Sequence, residues 1–361
     1  MKNSKTKNIL KYIIKILMSI FILFYIVIAP VTIFPKLKKS QGLVNKEIEI
    51  EYMGILELWN IDTFEGGSVS RTNFLQKRAM EFEKTHIGTF IMVQNMTPEQ
   101  AVLNFENGNL PDMVSFGIGV GDKLVSNLID LSCDYSVREI LNGGKFNGKQ
   151  LAVPYLLGGY TLINDNNSQF ENNKISLPIG CGLSSYNNSL IPLLINNMEV
   201  ANLYENSSQL DTFSAYDKYL DKKFDCLLGT QRDMYRVLNR IEKGNMTPRS
   251  FYNFSGFTDL VQYIGVCAKD DVKQEISKQF IKHLLSDTSQ EKIENINMFS
   301  VTGKKLYSTG EFAEMESALS KPLKTLNVFL SNEKLEQLKQ YSLNALAGDK
   351  QSLSELKKYL V

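Results

Sequence analysis

Histidine, cysteine and tryptophan are scarce in this chain. Its 361 residues include two histidines, four cysteines and one tryptophan. His86 and His283 lie far apart and no CxxC pair occurs, so the ligand spacing of a zinc site is missing. The same scarcity leaves no local Ser-His-Asp or Cys-His motif, and no glycine-rich phosphate loop is present. We therefore expect a protein that is not an enzyme and needs neither a metal nor a cofactor.

Acidic residues are absent from the first 39 positions, which carry eight lysines. Subtracting these lysines leaves 32 basic and 39 acidic side chains in the remainder, a net charge of −7. Nucleic-acid binding requires a basic face, which this charge balance does not provide. We therefore expect no nucleic-acid partner.

A long apolar run follows the N-terminal lysines, at Ile16–Phe34. Its 19 residues are about enough to cross a bilayer core as a helix, and they exceed the usual apolar stretch of a signal peptide. The preceding lysines place the N-terminus in the cytoplasm by the positive-inside rule. We expect residues 1–35 to be an uncleaved single-pass membrane anchor, with a cleaved signal peptide as the alternative. Residues 36–47 would be a linker to an extracytoplasmic domain.

The segment after the linker has the pattern of a βα sheet. Ile55–Asn60 is a short apolar strand, Phe90–Val93 is a second strand, and Met113–Phe116 is a third. Between the first two strands, apolar residues recur at helical spacing. Thr97, followed by Pro98 and Gln100, has the signature of a capped helix start. Two consecutive βα units indicate a mostly parallel sheet in an α/β fold.

Candidate ligand-binding residues gather where the first strand ends. Open α/β sheets bind small molecules outside the carboxyl ends of their strands. Trp59 and Asn60 close this strand, and Asp62, Glu65 and Gly66 lie in the loop that follows. The tryptophan could stack on a ligand or belong to the core, since its alternation with Leu56 and Leu58 is compatible with both. The loop carboxylates could accept hydrogen bonds from ligand hydroxyls or simply be solvated.

Four further candidates lie at other element ends. Phe116 ends the third strand, and Tyr155 follows a proline where the chain is expected to cross into another sheet. Arg232 stands at the start of a helix, where its fork of donors suits hydroxyls or a carboxylate; the alternative is a surface pair with Asp233. Tyr252 is a weaker candidate further along the chain.

A series of motifs along most of the chain resembles the extracellular solute-binding proteins of ABC importers, a large family that includes many sugar-binding members. Each motif alone is common, and their shared order makes the resemblance specific. The matching segments are Leu58–Trp59, Phe64–Gly67, Phe82–Lys84, Asn107–Val114, Gly148–Tyr155, Phe280–Gln290, Ala347–Asp349 and Ser352–Leu356.

The resemblance implies two α/β lobes joined by a hinge, the periplasmic-binding-protein-like fold. Lobe one would take residues 48–157 and 262–304, and lobe two would take residues 158–261 and the C-terminal helices in 305–361. Gly158 and Gly159 fit the hinge. The protein would act as a monomer that captures a small polar solute, with carbohydrates among the candidates, and delivers it to an ABC permease in the membrane.

Two other functions remain open from the sequence. The same tethered binder could sense a ligand for a membrane receptor. It could also be a cell-envelope interaction protein that has lost solute binding, an idea motivated by the single tryptophan and the asparagine-rich stretch at residues 164–173.

Overall fold

The computed structural model describes residues 52–132, 135–165, 174–175, 178–183, 186–200, 203 and 210–361, together with Lys15, Leu17 and Met18. The predicted linker and nearly all of the predicted anchor lie outside this part of the chain. Among the described residues, none of the helices combines the length and the apolar character needed to span a membrane. Glu51–Val361 form one compact unit.

The described strands of this unit build two main sheets and two short ribbons. In chain order their bounds are β1 (Gly54–Ile61), β2 (Thr89–Met96), β3 (Met113–Phe116), β4 (Lys145–Phe146), β5 (Lys149–Gln150), β6 (Val153–Leu157), β7 (Tyr160–Asp165), β8 (Lys174–Ile175), β9 (Ile179–Cys181), β10 (Glu199–Val200), β11 (Cys226–Thr230), β12 (Arg249–Asn253) and β13 (Val261–Val266).

Helices cover these sheets. Their bounds are α1 (Arg71–Glu83), α2 (Pro98–Glu106), α3 (Gly121–Leu124), α4 (Leu190–Ile195), α5 (Thr212–Leu220), α6 (Gln231–Glu242), α7 (Asp271–Leu285), α8 (Asp287–Glu291), α9 (Glu311–Leu319), α10 (Asn332–Leu346) and α11 (Lys350–Lys357). Short 3-10 helices lie at Glu139–Gly144 and Lys292–Ile296.

The first sheet has the strand order β2-β1-β3-β13-β6. β1 pairs in parallel with both β2 and β3, whereas β13 runs antiparallel to β3 and β6. The mostly parallel sheet expected from the sequence is therefore present. Every residue of the central strands β3 and β13 is buried, because central strands of such a sheet are covered on both faces, and the edge strand β6 is buried as well. We call this sheet, with α1, α2 and α7, lobe one.

The second sheet has the order β12-β7-β11-β9, with β7 antiparallel to its two neighbours and β11 parallel to β9. Helices α5 and α6 contact β11, and we call this sheet with these helices lobe two. The apolar side chains of α5 and β11 pack into a core that includes Tyr216, Tyr219, Phe224 and Leu227. Helix α10 contacts α4 and α11.

Local sequence signals explain where the early elements begin and end. Thr97 and Gln100 form the expected capping box at α2, with Pro98 in the first turn. Gly108 follows the helix with a positive φ of 77°, which a glycine adopts without strain. The i, i+4 spacing of Val272, Ile276, Phe280 and Leu284 predicts a core stripe on α7; the last three are buried, whereas Val272 in the first turn is exposed.

The chain passes between the lobes at two adjacent places. Gly158 and Gly159 connect β6 of lobe one to β7 of lobe two, and residues 254–260 connect β12 to β13. The two connections are hydrogen-bonded to each other, since Gly158 N–H donates to the Leu260 carbonyl at 2.7 Å and the Thr258 hydroxyl donates to the Gly158 carbonyl at 2.8 Å. The lobe boundaries read from the sequence remain predictions in their finer positions.

Candidate functional site

A cavity of about 430 Å³ lies between the two lobes. Its size falls within the range of small-molecule sites in proteins. Lobe one supplies the loop after β1, and lobe two supplies the start of β7, the segment around 182–189 and the β11–α6 junction. The lining residues are Asp62, Thr63, Phe64, Glu65, Gly66, Arg71, Tyr160, Gly182, Asn187, Ser189, Thr212, Leu227, Leu228, Gly229, Thr230, Asp233 and Leu260.

The loop after β1 is shaped by Arg71, the first residue of α1. Its guanidinium is almost completely buried, lies 2.8 Å from the Asp62 carboxylate and donates to the Phe64 carbonyl. It also stacks 4.2 Å from the Phe64 ring, and it reaches Gln262 of β13 at 3.3 Å. A buried charge is tolerated only when it is paired and hydrogen-bonded in this way. Arg71 therefore fixes the loop and presents Phe64 to the cavity.

Asn60 holds the same loop from the strand side. Its amide donates to Asp62 at 3.0 Å and lies within hydrogen-bond distance of Thr72 and Asn95, while its carbonyl oxygen accepts from Ser115 at 2.9 Å. Asn60 is itself fully buried. Its place is behind the cavity wall, where it orients Asp62.

The opposite wall is the junction of β11 and α6. Thr230 caps this helix: its hydroxyl accepts from the Arg232 N–H at 3.2 Å, and its own N–H donates to the Asp233 carboxylate at 3.0 Å. The positive end of the helix dipole therefore lies at the cavity, together with one hydroxyl and one carboxylate. The glycine before the cap, Gly229, leaves no room for a side chain, since an added Cβ would lie 2.7 Å from the Asp233 carboxylate.

Three side chains of α6 connect this wall to the loop of lobe one. Arg236 makes a two-pronged ion pair with Glu65, at 2.7 and 3.1 Å. The Gln231 amide reaches the carbonyls of Glu65 and Gly66 at 3.3 and 3.4 Å, and Arg232 donates to the Gly67 carbonyl. The lobes are therefore joined beside the cavity by contacts that a separation of the lobes would break.

Most polar side chains that line the cavity carry oxygen atoms, as carboxylates, hydroxyls or an amide. Burial raises the pKa of Asp233 to about 6, and the nearby Glu65 charge acts in the same direction, against the hydrogen bond from Thr230 and the Arg236 cation. Burial is the largest single effect on Arg236 and lowers its pKa, but the hydrogen bonds and charges of Glu65 and Asp233 together raise the pKa by more, so the guanidinium stays charged. Arg71, Arg232 and Arg236 are all bonded to protein partners. The polar lining groups left to contact a solute are mainly hydroxyl, amide and carboxylate groups, which suits hydrogen bonding to hydroxyls.

Three of the nine candidates from the sequence line the cavity, namely Asp62, Glu65 and Gly66. Arg232 lies beside it and contacts Gly67 across the lobes; Asp233 pairs with Arg236 at 3.1 Å. The alternative interpretation of Arg232 was a surface pair with Asp233. In the structure Asp233 pairs with Arg236 instead.

The other aromatic candidates lie elsewhere. Trp59 is buried against Phe105 with ring centroids 6.0 Å apart, so the core interpretation describes its position. Phe116 packs near Phe329, with ring centroids 6.2 Å apart. Both side chains are buried on strands of the lobe-one sheet, and they pack into the core and not into the loop region.

Tyr155 and Tyr252 are likewise part of the sheets. Tyr155 is fully buried and its hydroxyl lies 2.9 Å from the Ser115 hydroxyl, while burial raises its pKa well above the usual range. Tyr252 lies on β12 and packs edge-on against Phe254. These two positions place the phenols away from the cavity lining.

Sequence reasoning missed several residues that build the site. Asp233 and Arg236 could have been predicted from the sequence, because Thr230 and Asp233 have capping-box spacing and Arg236 lies one turn further along the same helix. Tyr160, Asn187 and Ser189 gave no comparable signal, since only the packing of distant segments brings them to the cavity. Within the described residues, no group of histidine, cysteine and acidic side chains could hold a metal ion.

Solved structures of other proteins share this architecture. No family model matches the chain. No curated protein matches it either. A chitin oligosaccharide binding protein superposes with a TM-score of 0.54 and 12% identity, covering 85% of this chain and 97% of its own. The GacH receptor of Streptomyces glaucescens, solved unliganded and with acarbose, superposes with a TM-score of 0.53 and 14% identity over 84% of this chain and 95% of its own.

A third similar structure is the maltose/maltodextrin-binding domain MalE from Bdellovibrio bacteriovorus, bound to maltotriose. It has a TM-score of 0.52 and 12% identity over 85% of this chain and 97% of its own. These similarities show the fold: the chain has the two-lobe α/β architecture of ABC-type solute-binding proteins, as the sequence resemblance implies.

Proposed function

We propose that this protein captures a small, uncharged, hydroxyl-rich solute between its two lobes and delivers it to an ABC-type permease. The observation that carries the proposal is the cavity of about 430 Å³, walled by both lobes, within a fold shared with binding proteins for sugars. A mono- or oligosaccharide is the solute class that fits best.

The chemistry of the lining supports an uncharged solute. Carboxylates accept strong hydrogen bonds from hydroxyl groups, and each oxygen can accept more than one, so Asp62, Glu65 and Asp233 can accept from a solute while they also pair with Arg71 or Arg236. An anionic solute would meet these carboxylates, while the arginine guanidiniums are already paired with protein groups. The rings of Phe64 and Tyr160 supply the apolar surface that sugar rings also require.

We infer further that the apolar run Ile16–Phe34 anchors the protein as a single-pass segment in the cell membrane, with the binding domain outside the cell. The support is the length of the run and the lysines that precede it. A tether would hold a monomeric binder near its permease and so replace free diffusion by a high local concentration.

A thermal-shift screen of the full chain tests the solute class. Neutral oligosaccharides such as maltotriose and chitotriose should raise the melting temperature, and a ligand at 100 times its Kd adds about 2.7 kcal/mol to the free energy of unfolding. Glucuronate should produce no shift. A flat response to every neutral sugar, or an equal response to the anionic one, would contradict the proposal.

Thr63→Val is the sharpest variant for this screen. Thr63 lines the cavity, and its buried hydroxyl has no hydrogen-bond partner among the described residues. Replacing it with a methyl group should weaken binding about tenfold, equivalent to about 1.4 kcal/mol. Thr325→Val is the matched control, because Thr325 is equally buried but lies away from the cavity.

A further inference from the structure

Asp259 is a fully buried carboxylate that lies behind the cavity without lining it. It accepts a hydrogen bond from the Tyr160 hydroxyl at 2.6 Å and from the Asn188 backbone N–H at 2.8 Å. Its backbone carbonyl accepts from the Asn187 amide at 3.0 Å. One residue thus holds two separate parts of the cavity wall, Tyr160 and the segment 187–189.

The position of Asp259 in the chain gives these bonds a wider consequence. It lies in the connection from β12 to β13, beside Thr258 and Leu260, which bond to Gly158 in the other connection between the lobes. The same network continues outward, because the Asn188 amide donates to the Ser342 hydroxyl of α10 at 2.9 Å. Asp259 therefore links the connection between the lobes to the lobe-two wall of the cavity.

Stability alone does not account for a carboxylate here. Removing a charged group from water is costly, and well-packed apolar residues often stabilise a core as well as a buried polar group does. What an apolar side chain lacks is the ability to fix a phenol hydroxyl and a backbone N–H at once. The two oxygens of Asp259 do this in a direction that holds the Tyr160 ring against the cavity.

We propose that Asp259 is a positioning residue for solute binding, which sets the orientation of Tyr160 and of residues 187–189 as the wall that selects the solute. This inference rests on the proposed function. It predicts that Asp259 and Tyr160 act on affinity as one unit, because the effect of each passes through the same hydrogen bond.

A double-mutant cycle on the full chain tests the unit. Asp259→Asn keeps the side-chain shape, Tyr160→Phe keeps the ring and removes the hydroxyl, and the double variant removes both partners. Tyr263→Phe is the matched control, since Tyr263 is also fully buried and donates to a backbone carbonyl at 3.2 Å away from the cavity. Binding of maltotriose and of chitotriose is measured by calorimetry, and global stability by urea unfolding.

We expect Asp259→Asn and Tyr160→Phe each to weaken binding of the bound sugar about tenfold, and the double variant to be no weaker than Asp259→Asn alone. Tyr263→Phe should leave affinity unchanged at a similar cost in stability. Independent, multiplying losses in the cycle, or unchanged affinity in both single variants, would overturn the inference. If Asp259→Asn does not fold, Tyr160→Phe against Tyr263→Phe decides it.

Amide hydrogen exchange separates this inference from the proposed function. The Asn188 N–H should exchange at least tenfold faster in Asp259→Asn than in the unchanged protein, and at the unchanged rate in Tyr263→Phe. If the unchanged protein binds none of the sugars, the proposed function fails while the exchange still decides the positioning role. An unchanged exchange rate at Asn188 would refute that role even if sugars bind.

Discussion

At the residue scale, the least ordinary feature of this site is the arrangement of charges around Arg236. The guanidinium lies between Glu65 of lobe one and Asp233 of lobe two. Asp233 is nearly fully buried, and among the described residues this cation and the Thr230 N–H stabilise its ionised form. The protonation of one carboxyl group therefore affects both the cavity wall and the contact between the lobes.

The pH dependence of unfolding should report on Asp233. Its pKa is about 6 in the folded protein against 3.8 for an unperturbed group, so the folded state binds this proton more readily between these values. The associated stabilisation is complete below about pH 4 and is lost as the pH rises through 6. It amounts to about 3 kcal/mol when a rise of this size is converted to free energy.

Urea unfolding of the unchanged protein and of Asp233→Asn between pH 4.5 and 7.5 measures this contribution. As the pH rises, the free energy of unfolding of the unchanged protein should fall relative to that of Asp233→Asn. Asp122→Asn serves as the control, because Asp122 is an acid at the start of the short helix α3 and does not line the cavity. A difference that stays constant with pH would contradict the raised pKa.

At the scale of elements, two helices begin with the same local device but at different places in the fold. Both α2 and α6 have a threonine N-cap within a capping box. Thr97 is on the surface, whereas Thr230 lines the cavity and its backbone N–H holds Asp233. The same capping box therefore starts a helix at the surface in one place and forms part of the cavity wall in the other, because different residues surround the two helix starts.

Thr97→Ala and Thr230→Ala form a matched pair for this point. Each should lower the free energy of unfolding by about 1 kcal/mol, the usual cost of losing an N-cap. Only Thr230→Ala should also weaken solute binding, because it removes a lining hydroxyl and loosens the start of α6. Calorimetric titration alongside urea unfolding checks both effects. Equal binding by the two variants would contradict a role for the α6 start in the site.

At the scale of the whole binding unit, the lobes are joined by the two chain connections and by the α6 contacts to residues 65–67. Hinge motions of two-lobe proteins are absorbed by a few residues in such connections. The contacts of α6 would then favour the form in which the cavity is covered.

Arg236→Ala should shift this balance toward a more open molecule. Without solute, small-angle scattering should give a larger radius of gyration for the variant than for the unchanged protein, and a bound sugar should reduce the difference. Arg240→Ala is the control, because Arg240 lies on the same helix with its side chain exposed. Identical radii for both variants would show that the Glu65–Arg236 pair does not hold the lobes together.

Much of the fold was readable because its signals are local. The three strands of the first βα units, the capped start of α2 and the buried stripe of α7 follow from apolar spacing and capping residues. The helical spacing of Tyr235, Leu238 and Ile241 agrees with α6, where these three side chains are half-buried and Met234 and Val237 are fully buried.

The sequence by itself determined the α/β class, the order of the elements and the loop Asp62–Gly66 as part of the site, because periodicity, caps and strand ends act over a few residues. Only the tertiary structure decided that Trp59 and Tyr155 belong to the core and that Arg236, Asn187 and Asp259 serve the cavity. These roles arise from contacts between segments tens to more than a hundred residues apart. Such contacts depend on how the two sheets pack, and no local pattern of residues records that packing.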